Sequence, residues 1–402
     1  MSRILLAWEL GYNLGHLSRL RPIAARLRER GHSVLVASRD LAGAARVLPP
    51  AGVPFVAAPQ APVIEGPDPH LASYAEILLR QGWGEISQLA GILHAWLNLL
   101  RMFSPEVVIL DHAPTAALAA RSLGIRSAWI GTGFEIPPLT TPFPPFPGIA
   151  VQRAVRVDAQ ALALANRVLS AMRLRPLPAL RDLFAESRRW LATYAELDHY
   201  GARPQEEYVG IFPDPGIGRI VEWPGHGERR LFAYLRSHTP GYEAILQALS
   251  EMPFDVICYV PELPPDAAAA FARAGLVLSP EPLRLEPLLA NADLCVSYAP
   301  AGTIATTLLH GVPQLCAPPH VEANLTALRI EALGAGIMLR GEQTPSSVEA
   351  AVRKMLETET YTASAKEFAR RHENAVPAAG TVEKIACAVE EIATAAANRN
   401  PR

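Results

Sequence analysis

Only four cysteines occur in the 402 residues, and Cys258, Cys295, Cys316 and Cys387 show no C-x-x-C or His-rich spacing. A thiolate metal site therefore has no support, and buried, reduced thiols are expected. No Asp-x-Asp occurs anywhere, so the paired carboxylates that commonly hold a divalent ion on a diphosphate are missing. Excess charge of one sign is also lacking: 37 basic and 39 acidic residues are mixed along the chain for a net charge of −2, which excludes a basic stripe for nucleic acid. No apolar run reaches the roughly eighteen residues of a membrane span. The Ala-rich stretch 153–173 is broken by Arg153, Arg156, Asp158, Asn166 and Arg167. The opening MSRILLAWEL carries Glu9 and meets Gly11 at once; it is too short for a signal-peptide core and reads as a first β-strand. A soluble, cytoplasmic protein is expected.

What is present is apolar mass, half of all residues being hydrophobic, and a length that suits two domains. Short β-branched runs alternate with amphipathic helices, the pattern of a parallel sheet covered on both faces. The first series has a strand over 4–10, a helix over 17–30 ended by Gly31, a strand over 33–38, a helical stretch over 72–102, a strand over 106–110, a helix over 114–123 and a strand over 126–131. The second runs from a strand at 230–235 through a helix at 241–251, a strand at 254–260, a helix at 265–273 and strands at 275–278 and 293–297. It continues with a helix at 303–310, a strand at 313–317 and helices at 322–332, 346–356 and 361–373. Prolines and glycines near 201–228 mark the joint between them. The expected division is 1–205, a linker over 206–228, 229–380, and a C-terminal helix and tail over 381–402. The proline-rich 137–148 is a loop, read either as an apolar lip over a pocket or as a surface connection. Trp83, Trp96 and Phe134 are the aromatic candidates for lining such a pocket, with core packing the alternative for each.

Three constellations carry chemistry. After the first strand the chain reads Gly11-Tyr12-Asn13-Leu14-Gly15-His16 and enters a helix. Ligands of open α/β sheets bind at the carboxyl ends of strands, and a histidine at a helix start is favoured as the neutral, proton-accepting imidazole. The same residue could serve only as a helix-entry histidine bonded to backbone. The loop matches neither G-x-G-x-x-G nor the P-loop. Asp111 follows the apolar run Val107–Leu110 and, if the two strands are neighbours, can orient His16 and stabilise its imidazolium. Its alternative role is an N-cap for the helix over 114–123. In the second half, Asp293–Ser297 reads as a buried strand and Tyr298-Ala299-Pro300-Ala301-Gly302-Thr303 as the turn into a helix, whose free amides suit a diphosphate.

In this order the pieces resemble bacterial glycosyltransferases of the GT-B fold, related to plant and antibiotic-pathway UDP- or TDP-sugar glycosyltransferases. The likeness covers Trp8-Glu9-Leu10 with Leu14-Gly15-His16-Leu17, Leu110–Thr115, Ala195–Tyr200, Leu289–Ser297, Gly302-Thr303, Leu308–Gln314, Pro318-x-His320-Val321-Glu322 and Glu331–Gly336. It implies an α/β architecture of two Rossmann-like doubly wound domains facing a central cleft, acceptor in the first and donor in the second. It implies His16 and Asp111 as the catalytic dyad. Donor contacts are implied at Gly15, Leu283 (against the base), Tyr298, Gly302, Thr303, His320 and Glu322. No cofactor beyond a nucleoside diphosphate sugar as co-substrate is implied, and no metal. Inverting transfer to a hydroxyl of a hydrophobic small molecule or lipid is the expected function.

Two departures stand out. The family's His-Gly-Gly turn is Tyr298-Ala299-Pro300 here, and Ala323 replaces the Gln commonly found beside the acid. The first removes an imidazole that contacts phosphate, takes away a backbone donor at Pro300 and puts a side chain on a glycine conformation. It motivates a second reading, a non-catalytic binding or partner protein with a degenerate phosphate turn. A nucleotide-sugar epimerase of the same shape has less support, because its clusters of acids and bases are absent.

Overall fold

The computed structural model describes residues 1–12, 14–63, 70–212, 218–261, 263, 271, 273, 275–374 and 378–397. The chain forms two compact units. Along the first lie β1 (Arg3–Trp8), α1 (Gly15–Glu29), β2 (Ser33–Ser38), α2 (Leu41–Val47), β3 (Phe55–Ala57), α3 (Tyr74–Leu78), α4 (Ile86–Phe103), β4 (Val107–Asp111), α5 (Pro114–Ser122), β5 (Arg126–Gly131), α6 (Val151–Ala171), α7 (Asp182–Ala185), β6 (Arg188–Leu191) and β7 (Glu207–Tyr208). These strands form one seven-stranded sheet in the order β3-β2-β1-β4-β5-β6-β7. Every recorded pairing in it is parallel. The central strands are apolar throughout because helices cover both faces: Ile4, Leu5, Leu6, Ala7 and Trp8 of β1 and Val107–Leu110 of β4 are fully buried.

The second unit runs β8 (Arg230–Tyr234), α8 (Tyr242–Glu251), β9 (Asp255–Tyr259), β10 (Leu276–Ser279), α9 (Leu285–Leu289), β11 (Leu294–Ser297), α10 (Ala301–Leu309), β12 (Gln314–Cys316), α11 (Val321–Leu333), β13 (Gly336–Met338), α12 (Pro345–Glu357) and α13 (Glu359–Arg371). Its six-stranded parallel sheet has the order β10-β9-β8-β11-β12-β13. The expected helix over 265–273 lies outside the described residues, apart from two isolated positions. Both sheets share one topological feature. The chain winds outward from the first strand, then returns to its other side, so the strand order reverses between β1 and β4 and again between β8 and β11. Ligands of open α/β sheets bind at the carboxyl ends of strands flanking such a reversal.

The division in space is not linear along the chain. Tyr194–Ala202 packs with the second unit while Arg203–Phe212 returns to the first, so β7 lies within the expected linker 206–228 and completes the first sheet. The last helix, α14 (Ala378–Ala397), also belongs to the first unit. It buries Ile385, Ala386 and Val389. Its acids meet basic residues of α1 and the turn after it: Arg26 Nε donates to Glu383 at 2.6 Å, Arg30 Nη2 to Glu390 at 2.5 Å, and His32 Nε2 lies 2.8 Å from Glu390.

The helical stretch over 72–102 is interrupted. Residues 79–83 form a wide turn in which Gly82 has φ +98, a left-handed conformation that favours glycine, and a Cβ there would meet Ala61 and Ile92 at 2.7 and 2.8 Å. The loop 137–148 is anchored inward, with Phe143 fully buried and Phe146 4% exposed. Cys258, Cys295 and Cys316 are buried free thiols and Cys387 is a half-buried one. Among the described residues no helix is long and apolar enough to cross a membrane.

Because α14 fills the first unit's interior with Ile385, the substitution Ile385→Ala is expected to lower the unfolding free energy of that unit by about 2–5 kcal/mol. Urea unfolding followed by tryptophan fluorescence checks this, since Trp8, Trp83, Trp96, Trp129 and Trp190 all lie there. An unchanged transition would show that α14 does not dock as described.

Candidate active site

The reversal between β1 and β4 brings His16 and Asp111 together. Trp8 and Asp111 are register partners at the carboxyl ends of these neighbouring strands. The connection from β1 turns at Gly11, φ +86, and delivers His16 into the first turn of α1. The His16 ring stacks on Trp8 with centroids 4.8 Å apart, and its Nδ1 lies 2.7 Å from Asp111 Oδ1. Both side chains are buried, Asp111 completely. A hydrogen on Nδ1 would face the accepting carboxylate, and in that tautomer the lone pair of a neutral ring is on Nε2. Gly11 leaves room for that nitrogen: a Cβ at position 11 would sit 2.6 Å from it.

Two further residues complete the cluster, and neither was among the sequence candidates. Arg19, one turn beyond His16, donates from Nε to Asp111 Oδ2 at 3.0 Å and from Nη2 to Oδ1 at 2.7 Å. The same Nη2 donates to Glu135 Oε1 at 3.0 Å. Glu135, after β5, also accepts from the Thr132 N–H at 2.7 Å and the Thr132 hydroxyl at 2.6 Å. The sequence signal for Arg19 was its i+3 spacing from His16, which puts both on one helix face; Glu135 follows the carboxyl end of a central strand. His16, Asp111 and Glu135 each bring a ligand-type atom within 4.8 Å of the others. The cation these carboxylates share is the Arg19 guanidinium.

Burial and pairing act against each other here. Desolvation pushes the Glu135 carboxyl up, but Arg19, the two histidines and the Thr132 hydrogen bond together outweigh it and hold the group well below the usual carboxylate range. Desolvation likewise disfavours the Arg19 cation, and Asp111 and Glu135 more than restore it. His112, beside His16 with ring centroids 6.2 Å apart, is driven down to about 4 by burial and stays neutral. Phe134 stands edge-on to His112 at 6.3 Å and stacks on Phe146 at 6.0 Å, with Tyr74, Phe143 and Phe184 in the same aromatic group. Trp83 is 1% exposed and donates to the Thr115 hydroxyl at 2.9 Å. Trp96 is fully buried in α4. Of the three aromatic candidates, Phe134 is the one that adjoins the histidines.

In the second unit the turn from β11 to α10 has two faces. The backbone amides of Ala301, Gly302 and Thr303 open α10 without a partner among the described residues, the first internal bond being Ile304 N–H to the Pro300 carbonyl at 3.0 Å. Gly302 is exposed and Thr303 half-buried. Tyr298 points the other way: it is 2% exposed, its hydroxyl is hydrogen-bonded with Tyr234 and Arg236, and burial pushes that hydroxyl's pKa up. Ala299 adopts φ +62. At the start of α11, His320 Nδ1 accepts the Ala323 N–H at 3.3 Å, leaving Nε2 as a donor, and Glu322 lies half-buried in the first turn. Leu283 is 5% exposed, packed with Phe232, Ile257 and Leu288. Gly15 opens α1 in the first unit, where a Cβ would meet nothing within 4 Å. A separate cavity of about 700 Å³, lined by Arg229, Phe254, Arg353 and Lys366 among others, adjoins the amino ends of β8 and β9 and touches none of these residues.

This architecture recurs in solved structures. The spinosyn rhamnosyltransferase SpnG, crystallised with thymidine diphosphate, aligns at TM-score 0.70 over 95% of this chain and 99% of that one at 20% identity. The calicheamicin glycosyltransferase CalG4 aligns at 0.71 over 100% and 99%, at 17% identity. SpnG has also been crystallised with spinosyn aglycone. In sequence, a PGL/p-HBAD biosynthesis glycosyltransferase of Mycobacterium tuberculosis is 23% identical over 75% of each chain. An erythronolide mycarosyltransferase of Saccharopolyspora erythraea is 35% identical over 19% of each. Fold and relatives make the chain a glycosyltransferase of the GT-B fold. More particularly, its residues 245–389 match the C-terminal domain described as that of erythromycin biosynthesis protein CIII-like proteins.

The end of β1 also holds a buried acid with a separate role. Glu9 is 1% exposed and accepts the N–H groups of Thr115 and Ala116 at 2.9 and 3.2 Å, tying β1 to the start of α5. Burial nonetheless raises its pKa from 4.5 to about 7, against those donors and Arg39. A carboxyl with a raised folded-state pKa contributes stability at low pH that is lost as pH rises from the unfolded value through the folded one. Glu9→Gln lacks that loss. Relative to wild type, its unfolding free energy is expected to gain about 2–3 kcal/mol between about pH 5 and about pH 8. Urea unfolding at the two pH values measures it, and parallel behaviour of both proteins would refute the assignment.

Proposed function

We propose that this glycosyltransferase moves a sugar from a nucleoside diphosphate sugar to a hydroxyl acceptor with inversion and without a metal ion, His16 acting as base and Asp111 as its orienting partner. The observation that carries the reading is the buried 2.7 Å contact between His16 Nδ1 and Asp111, which leaves Nε2 to take a proton. In a single displacement the acceptor O–H gives its proton to Nε2 as its oxygen bonds to the anomeric carbon. The bond from that carbon to the diphosphate oxygen breaks, and its electron pair leaves with the diphosphate. Attack opposite the leaving group inverts the centre. Asp111 stabilises the imidazolium that forms.

The second unit supplies the anion site in this reading. Three open amides and the dipole of α10 receive the diphosphate charge, His320 offers its Nε2 hydrogen, and Glu322 takes sugar hydroxyls. Arg19 already serves as the cation between Asp111 and Glu135, which supports chemistry without a divalent ion. The aromatic group around Phe134 and His112 favours an apolar acceptor, and an aglycone and thymidine diphosphate are the ligands with which SpnG was crystallised. One observation favours a non-catalytic protein instead: the Tyr298 hydroxyl, at the position of the family's phosphate-contacting histidine, is already engaged by Tyr234 and Arg236.

His16→Ala is expected to lower turnover by about two to four powers of ten while leaving nucleotide affinity unchanged. Mass-spectrometric transfer assays with TDP- and UDP-sugars and phenolic or macrolide acceptors check the rate; full activity in the variant would end the base assignment. In calorimetry at least one of TDP, UDP and GDP binds wild type. Failure of all three would favour the non-catalytic reading.

A further inference from the structure

The buried cluster at the β1–β4 reversal holds two carboxylates and one guanidinium around one imidazole. Asp111 and Glu135 are 0% and 2% exposed, Arg19 6% and His16 7%, so water screens these charges poorly. Arg19 Nη2 touches every other member, at 2.7 Å from Asp111 Oδ1, 3.0 Å from Glu135 Oε1 and 3.1 Å from His16 Nδ1.

We propose that Arg19 and Glu135 are positioning residues that set the proton affinity of His16, Glu135 contributing the one net negative charge that formation of the imidazolium cancels. The proposal rests on His16 being the base. With a neutral imidazole the four side chains sum to one negative charge, and a proton on Nε2 brings the sum to zero. Without Arg19, two buried carboxylates would hold the ring as imidazolium, which has no lone pair for an acceptor's proton. Without Glu135, Asp111 and Arg19 cancel, and the proton would leave a net positive charge in a buried site. The two residues thus act in opposite senses, and Arg19 in addition fixes the carboxylate by its two-point contact.

Other titratable groups stand near the cluster, among them Arg203, which donates to the Ile136 carbonyl at 2.7 Å beside Glu135. From the β4–α5 connection His112 faces His16 at 6.2 Å between ring centroids and is kept neutral by burial. From β1, Trp8 offers an uncharged ring, and the Glu9 carboxyl is turned to the amides of α5. Glu135 is steadied on its far side by the two Thr132 donors, so its charge stays in place when Arg19 is altered.

The test reads the imidazole itself and needs no substrate. Full-length protein labelled with ¹⁵N in its histidines is titrated from about pH 5 to about pH 9, the His16 resonances being identified by their loss in His16→Asn. Glu135→Gln is expected to move the His16 midpoint down by about one pH unit or more, and Arg19→Gln to move it up by a similar amount. Arg19→Lys, which keeps the charge, stays close to wild type. Midpoints that move together, or stay unmoved in both neutral variants, would overturn the proposal. Should Arg19→Gln fail to fold, an unmoved midpoint in Glu135→Gln is sufficient to overturn it. Opposite shifts in a protein that transfers no sugar would uphold the electrostatics and sink the transferase mechanism; active transfer with unmoved midpoints would do the reverse.

Discussion

Four buried side chains of the first unit, His16, Arg19, Asp111 and Glu135, share one charge balance at the carboxyl ends of its central strands. A lone buried Asp111 would bear a large desolvation cost and would hold a nearby histidine charged. The Arg19 guanidinium answers both problems, since its planar fork meets both Asp111 oxygens and removes the excess charge. That solution creates a further demand: a buried arginine needs more of its N–H donors satisfied, and Glu135, held by Thr132, supplies one partner. Each member is tolerable only because the next is present. The cluster therefore behaves as one unit, in which truncation of any one charged side chain changes the charge balance that the others share.

The fold explains why these four residues meet. Parallel strands leave all their carboxyl ends on one edge, and the reversal of strand order beside β1 keeps a helix crossover from covering that edge between β1 and β4. His16 arrives from the β1–α1 connection, Asp111 from the last position of β4, Glu135 from beyond β5, and Arg19 from the second turn of α1. Trp8 supplies a flat apolar floor for the ring at 4.8 Å. Gly11 is required for a spatial reason as well as a conformational one, since its φ of +86 and the space of its absent side chain both serve the approach of Nε2.

How much of this was legible depended on whether the signal was local. Asp111 could be found because it closes an apolar run and His16 because it opens the helix after the first strand's connection, which places each near a strand end without any knowledge of the other. Arg19 shares a helix face with His16, but its significance depends on a carboxylate more than a hundred residues away. Glu135 sits in the short turn before the proline-rich loop, with no periodicity. Glu9 looked like a mere interruption of an apolar segment, because burial and the amides of α5 are tertiary facts. The β6 strand was missed for a related reason: it begins with Arg188 and Arg189, and side-chain pairing with Glu206 and Glu207 overrides its polar look. Gly82 broke the stretch over 72–102 through a left-handed conformation that a helical pattern of apolar residues conceals. The docking of α14 has a trace in sequence, Glu383 and Glu390 seven apart against Arg26 and Arg30 four apart, yet only folding shows that they face each other.

The turn at Tyr298-Ala299-Pro300 shows how a departure from a family pattern divides into a change of side chain and a retention of backbone. Ala299 keeps the left-handed conformation that a glycine would adopt freely, at a cost of about 1–2 kcal/mol. Its N–H is bonded to the Ser297 hydroxyl at 3.2 Å, and Tyr298 is locked into an aromatic group with Tyr234 and Tyr259. Those contacts offset the strain and hold the chain where α10 must begin. Pro300 occupies the N-cap, its carbonyl accepting the helix's first bond, so its missing hydrogen falls outside the run of amides from Ala301 to Thr303. What the sequence change removes is one imidazole; what it leaves is the arrangement of backbone dipoles that gives a helix start its affinity for a diphosphate. In the proposed reading the anion site is a property of the helix, and the residues before it need only deliver the chain in the right direction.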